Sequence, residues 1–218
     1  MRFLIFGPPG AGKGTYTTRL KDILGIAAIS TGDVFRDAIK QDTPLGQKVK
    51  QYLDSGQLVP DEVVIGVLRD WLGQPETQKG FILDGYPRTL KQAQDLEKLT
   101  PIDAVINLVV PEWVIVERLS SRRVCKQCGT IYNVRFLKPK VEGVCDKCGG
   151  PLIQRPDDMP DVIKERIKLY EATTKPLLEF FENAGMPIVS VECNEVDVPP
   201  EIIVDKILNA LRERKLIK

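Results

Sequence analysis

Histidine is missing altogether from the 218 residues of this sequence. Without it there can be no Ser-His-Asp or Cys-His nucleophile, no imidazole proton shuttle and no metal site that uses an imidazole ligand. Net charge is almost absent as well: 31 Lys and Arg stand against 30 Asp and Glu, leaving +1. No overall field therefore draws the chain to nucleic acid or to an anionic membrane, although local basic patches remain open. No apolar run approaches the ~20 residues of a membrane span. The apolar start Met1-Arg2-Phe3-Leu4-Ile5-Phe6 runs straight into a glycine loop and is too short for a signal h-region, so the cytoplasm is the expected compartment. Cysteine is scarce, at five residues, and a cytosolic chain keeps its thiols reduced. A composition of 43% hydrophobic and 28% charged residues is that of a soluble globular protein, long enough for an α/β domain with an insertion or for two small domains.

Short apolar runs alternate with helical patterns. Residues 2–6, Ala27-Ala28-Ile29, Phe81-Ile82-Leu83, 104–110 and 188–191 read as strands buried on both faces. Between them, helices are expected over 13–24, over 33–73 in three pieces, over 89–98, from Pro111-Glu112 to about Ser121, over 160–183 with a kink at Pro176, and over 199–215. This order predicts a five-stranded parallel sheet with helices on both faces. Residues 122–159 break the pattern with four cysteines and no helical period, and read as a projecting insertion.

Gly7-Pro8-Pro9-Gly10-Ala11-Gly12-Lys13-Gly14-Thr15 lies between the first strand and the first helix. Such a loop can aim several backbone N–H groups at one phosphate at the helix N-terminus, with Lys13 adding a mobile positive charge. The strict phosphate-binding loop has Ser or Thr directly after its lysine; here Gly14 intervenes before Thr15. The pattern points to a nucleoside triphosphate and is silent on its base.

Two Cys-x-x-Cys pairs, Cys125/Cys128 and Cys145/Cys148, are each followed by a glycine and are separated by 16 residues. The spacing matches a closed four-cysteine zinc site, with iron or a pair of disulfides as alternatives. An insertion of this size buries little core, so a metal would act as its staple. Its basic residues with Tyr132 and Phe136 interleaved also leave a zinc ribbon for nucleic acid as a remote alternative. Cys193, alone on a strand, reads as a buried apolar side chain.

The loop Gly-x-Pro-Gly-x-Gly-Lys-Gly-Thr resembles that of the nucleoside monophosphate kinases. Ser30-Thr31-Gly32-Asp33 with Arg36, Asp84-Gly85-Tyr86-Pro87-Arg88-Thr89, Arg122-Arg123, Gln154-Arg155-Pro156-Asp157-Asp158 and Arg166 follow in that family's order. Over nearly the whole chain the pattern resembles the adenylate kinase family in its long form with a zinc-binding lid. The resemblance implies a phosphate-binding-loop α/β core (1–29, 60–121 and 160–218), a helical acceptor-binding insertion (30–59) and a lid (122–159). It implies reversible transfer from ATP to AMP with Mg2+, with GTP:AMP transfer or another nucleoside monophosphate kinase as alternatives. ATP and AMP are then the expected partners, without nucleic acid or membrane, and the chain is expected to be a monomer.

The resemblance also implies residue roles. Arg36 and Arg88 would hold the acceptor phosphate, and Arg122, Arg155 and Arg166 the transferred group. Lys13 would balance charge on the leaving side. Asp84 would orient Mg2+ through waters. Thr31, Gln57, Leu58, Val59, Gly85, Tyr86, Pro87 and Gln92 would surround AMP. Residues Gly10 to Thr15, Arg122, Ile131, Tyr132 and the backbone near Glu195 would hold ATP, although Cys193-Asn194-Glu195 departs from the Gly-x-Lys stretch common in the family. Arg118 and Arg123 read equally as screening groups or as lid-hinge groups. No general base is needed, because a phosphate acceptor is already ionised at neutral pH.

Overall fold

All five apolar runs become strands of one parallel sheet in a computed structural model, which describes residues 1–218. They are β1 (Arg2–Phe6), β2 (Ala27–Ser30), β3 (Phe81–Asp84), β4 (Ala104–Val109) and β8 (Ile188–Glu192), in spatial order β2-β3-β1-β4-β8. Every neighbouring pair is parallel. Alternation along β1 explains why the runs look uniformly apolar: Phe3 and Ile5 enter one core, Leu4 and Phe6 the other. The first core is closed by α1 (Lys13–Leu24) and α9 (Pro200–Glu213). The second is closed by α4 (Asp61–Leu72), α5 (Leu90–Leu99) and α8 (Leu177–Asn183). Strands β2 and β3 lie on one side of β1 and β4 and β8 on the other, so the loop after β1 opens at the point where the strand order reverses, the usual ligand crevice of such sheets. No helix is long and apolar enough to cross a membrane.

Two helices stand off the sheet before α4. Ser30 caps α2 (Thr31–Lys40) by accepting the Asp33 N–H, and Thr43 caps α3 (Pro44–Asp54) by accepting the Gly46 N–H. The two helices meet at Gly46, where an added Cβ would lie 2.2 Å from the Ala38 carbonyl oxygen. After α6 (Glu112–Ser120), the insertion forms its own antiparallel sheet. Its strands β5 (Arg122–Cys125), β6 (Ile131–Asn133) and β7 (Leu152–Ile153) run in the order β6-β5-β7. Its core is only Cys125, Tyr132 and Cys145, with Leu152 against them.

The long helix expected over 160–183 is instead α7 (Pro160–Leu169), a wide π turn at Tyr170–Thr174, and α8. Pro176 has no N–H to continue the ladder, and the Lys175 N–H reaches five residues back to the Tyr170 carbonyl. A turn of five, rather than a simple kink, absorbs the proline.

Close packing at Gly46 predicts that Gly46→Ala forces α2 and α3 apart and destabilises the protein by about 1–3 kcal/mol. Gly66, inside α4, has nothing within 4 Å of the position an added methyl would take and should respond oppositely: Gly66→Ala stabilises by roughly 0.5–1 kcal/mol. Thermal melting of both variants checks the signs; equal and small shifts would refute the tight crossing.

Candidate active site

Helix α1 begins without a side-chain cap and without an acidic residue in its first turn, leaving its first N–H groups for an anion. Lys13 opens the helix, and its Nζ donates to the Gly7 and Pro8 carbonyls at 2.6 and 2.9 Å. Burial pulls its pKa down to about 8, with Asp84 opposing and Arg88, Arg166 and Arg122 adding to the fall. Gly10, Gly12, Gly14 and Thr15 line the cleft at this point. Ala11 does not: its methyl packs in the core and its N–H is taken by the Pro8 carbonyl. Asp84 ends β3, buried beside Lys13, and burial pushes its pKa up against the pull of that lysine.

The predicted arginines converge. Lys13, Arg36, Arg88, Arg122, Arg155 and Arg166 all line one cleft of about 430 Å³. Arg122, on β5, holds the buried Asp158 through two bonds of 2.7 and 2.5 Å. Arg166, on α7, meets the Asp157 carbonyl at 2.8 Å, the Asp157 carboxylate at 3.0 Å and Asp158 at 3.3 Å. Arg36 pairs with Asp33 at 2.8 Å and reaches Asp157 at 3.9 Å. The Arg88 guanidinium bonds only the Gly85 carbonyl, at 2.9 Å. Burial, reinforced by Arg166, pulls Arg88 down to about 10. Burial, reinforced by Arg36 and Arg122, pulls Arg155 down to about 9. With Arg118, which lines the same cleft, seven cations thus face five carboxylates, Asp33, Asp84, Asp157, Asp158 and Asp197, in a largely desolvated place. Such an excess calls for a bound polyanion.

A second cavity, of about 90 Å³, is lined by Thr31, Gln57, Leu58, Val59, Gly85 and Gln92 and shares Arg36, Arg88 and Arg166 with the first. Thr31 Oγ1 donates to the Gly85 carbonyl at 3.0 Å. Tyr86 lies in the core, and its hydroxyl donates to the Gln92 carbonyl at 3.0 Å. With Pro87 it lines a small adjoining pocket, not this one. Tyr86 therefore supports α5 from beneath the pocket.

On the other side, Ile131 and Tyr132 face residues 196–200 across the larger cleft. Glu195 falls outside that lining; its carbonyl accepts from Arg118 Nη2 at 2.8 Å, and the Val196 carbonyl accepts from Arg118 Nε at 3.1 Å. The expected wall thus starts one residue later. Arg118 proves to be a cleft residue, whereas Arg123 turns back onto the Arg122 and Ser120 carbonyls. Phe136 and Leu137 also line the cleft, although no motif marks them. For the part played by Asp157 and Asp158, the only signal in the sequence is a pair of acids close after Arg155.

Residues Cys125, Cys128, Cys145 and Cys148 place their sulfurs within 4.8 Å of one another. Cys125 and Cys148 are 3.4 Å apart, Cys128 and Cys145 3.6 Å, and all are free thiols. Tetrahedral zinc with bonds of about 2.3 Å sets its sulfurs roughly 3.8 Å apart, so four thiolates here fit that ion. Gly129 and Gly149, which follow the second cysteine of each pair, have positive φ, at 74° and 72°, a turn that presents two sulfurs to one point. Tyr132 bridges this centre and the cleft: its hydroxyl lies 3.5 Å from Cys145 Sγ and accepts the Asp146 N–H at 2.8 Å.

A family model described as adenylate kinase matches residues 5–186. The chain belongs to the adenylate kinase family. Its relatives in that family include proteins named adenylate kinase from Carboxydothermus hydrogenoformans, 50% identical over 85% of this chain and 89% of the relative, and from Archaeoglobus fulgidus, 48% identical over 85% and 88%. A third, from Caldicellulosiruptor saccharolyticus, is 46% identical over 93% and 97%.

The depressed Lys13 pKa has two opposite consequences. Between about 8 and its ordinary 10.5, the unfolded chain keeps a proton that the folded chain has lost, so this residue makes stability rise with pH. Across the same window the charge offered to an anion falls. Calorimetric binding of inorganic pyrophosphate should weaken about tenfold from pH 7 to pH 9, and Lys13→Met should bind weakly with most of that dependence gone. A pH-independent affinity in the unmodified protein would show that Lys13 stays charged.

Proposed function

We propose that the chain catalyses reversible phosphoryl transfer from the γ-phosphate of ATP to AMP, giving two ADP. One observation carries this reading: the two cavities meet at Arg36, Arg88 and Arg166, beside Lys13 and the open end of α1. A donor polyphosphate at the loop and an acceptor phosphate in the smaller cavity would be brought together there. Unit charges ~4 Å apart repel by about 1 kcal/mol in water and about 4 at an effective dielectric of 20. Bringing two such anions together therefore requires fixed cations, and guanidinium forks supply them without losing charge.

An AMP phosphate oxygen forms the new bond to the γ-phosphorus, while the bond to the β–γ bridging oxygen breaks and its electron pair leaves with ADP. Arg36 and Arg88 orient the attacking phosphate, Arg122, Arg155 and Arg166 stabilise charge on the transferred group, and Lys13 offsets charge on the leaving side. Asp84, a buried carboxylate between Lys13 and the arginines, offers hard oxygen to Mg2+ waters, and the ion when bound neutralises phosphate charge. On the donor side, Ile131, Tyr132 and residues 196–200 enclose the base; on the acceptor side, Gln57, Leu58, Val59, Thr31 and Gln92 do so.

Residues 1–29, 60–121 and 160–218 serve as the core, 30–59 as the acceptor arm and 122–159 as a lid. Lid closure is the motion described for adenylate kinases generally. The bond from Lys40 Nζ to the Gln127 carbonyl, at 2.5 Å, joins the two arms across the cleft. Closure of that kind excludes water, which would otherwise hydrolyse the donor. One structural zinc held by the four cysteines would stiffen the lid.

Turnover with ATP or GTP as donor and AMP, UMP or CMP as acceptor tests the reading. ATP with AMP should give the highest kcat/KM, and Arg88→Ala should lower it by roughly 10²–10³-fold with the fold intact by circular dichroism. Near-wild-type turnover in that variant would refute the site, and preference for GTP would move the donor assignment. The metal has its own test. Cys145→Ala with Cys148→Ala should abolish zinc in elemental analysis and lower the melting temperature, while activity survives in the cold. Loss of activity at every temperature would mean that the ion does more than staple the lid.

A further inference from the structure

Gln92 is 2% exposed, and its carboxamide is held from both ends. Oε1 accepts the Arg88 backbone N–H at 2.8 Å, and Nε2 donates to Asp61 Oδ1 at 2.7 Å. Thr89 Oγ1 accepts the Gln92 N–H and sits 3.2 Å from both Asp61 oxygens, so its hydroxyl proton is directed at that carboxylate. A primary amide can turn over by half a revolution with almost no change in shape. Here the polarity of the partners forbids it. A backbone N–H can only donate and a carboxylate can only accept. Turning the amide would set donor against donor at Arg88 and acceptor against acceptor at Asp61.

Each polar atom of the amide keeps one free valence for an occupant of the smaller cavity: a lone pair on Oε1 and an N–H on Nε2. Their order is set, with the acceptor toward Arg88 and the donor toward Asp61. A 6-aminopurine presents an N–H at C6 beside the lone pair of N1. A 6-oxopurine presents the reverse, a carbonyl at C6 beside N1–H. A free amide would serve both by turning, whereas a clamped amide serves one. A bound nucleotide cannot compensate by turning its base over while its phosphate is tied to Arg36 and Arg88.

We propose that Asp61, which does not line the cavity itself, is a positioning residue that makes the acceptor site select 6-aminopurine over 6-oxopurine monophosphates by holding the Gln92 amide in one orientation. The inference rests on the reading of this cavity as the acceptor-base pocket. Gln92→Met tests that reading separately, because it removes the amide and leaves Asp61 in place.

Calorimetry with AMP and IMP on the unmodified protein, Asp61→Ala, Asp61→Asn and Gln92→Met supplies the test. In Asp61→Ala the ratio of IMP to AMP dissociation constants should fall at least about tenfold, since the amide is then free to turn to suit either edge. At saturating AMP, kcat should change little. Asp61→Asn keeps a carbonyl oxygen for Nε2 and should restore most of the ratio. Equal weakening of both nucleotides in Asp61→Ala, with the ratio unchanged, would reduce Asp61 to a structural role and overturn the inference. Asp61→Leu, of similar volume and without an acceptor, carries the same expectation if the alanine variant melts below the assay temperature. Unchanged AMP affinity in Gln92→Met would overturn the pocket reading and the inference with it. A normal loss there beside an unchanged ratio in Asp61→Ala overturns the inference alone.

Discussion

Mutual repulsion among buried guanidinium groups is the constraint that organises this molecule. Arg36, Arg88, Arg122, Arg155 and Arg166 arrive from α2, the end of β3, β5, the hinge after β7 and α7, and nothing in the backbone alone would keep them together. Asp157 and Asp158 do so. Sitting on one tight turn, they reach Arg122, Arg166 and Arg36, yet leave Arg88 and Arg155 without a carboxylate of their own. Asp157 is held below the ordinary carboxylate range: burial works against its charge, but Arg166, Arg36, Arg122 and Arg155 together outweigh it. The pair stabilises the cluster without neutralising it. Full compensation would leave nothing for a phosphate to bind.

The rest of the architecture answers to that need. A parallel sheet covered on both faces leaves only the carboxyl edge free for chemistry, and the turn after β1 opens there. The two arms that reach over this edge are too small for cores of their own, and each is fastened in a different way. The arm of α2 and α3 relies on side-chain caps and on the close crossing at Gly46. The cysteine-bearing insertion relies on four sulfurs and on one tyrosine packed among them.

Much of this is legible in the chain itself. Strands buried on both faces are short, apolar and bounded by glycine or proline, so β1, β2, β3, β4 and β8 declare themselves. The loop after β1 and the paired cysteines carry their chemistry within a few consecutive residues. What stays hidden depends on which partner each group finds once the chain is folded, near or distant in sequence. The bond from Arg118 to the Glu195 carbonyl spans 77 positions, and the cleft wall begins at the next residue. Ala11 lies within a recognisable motif, yet its own N–H is spent inside the loop. Tyr86, two residues before Arg88 in the same signature, turns into the core, where its hydroxyl meets the Gln92 carbonyl. The π turn depends on which carbonyl Lys175 finds once Pro176 has removed the next donor.

That turn has a reach beyond the helix containing it. Thr174 closes it, and its hydroxyl donates to the Arg88 carbonyl at 3.1 Å. Widening the helix by one residue per turn shifts the angular position of everything beyond it by about 100° relative to a regular ladder. An uninterrupted α-helix through this stretch would gain local regularity and swing that hydroxyl off the Arg88 carbonyl. A locally unfavourable imino acid, two residues further along the chain, thus sets the rotational phase that lets one threonine steady an arginine 86 positions earlier, a reason for such a sequence to keep its imperfection.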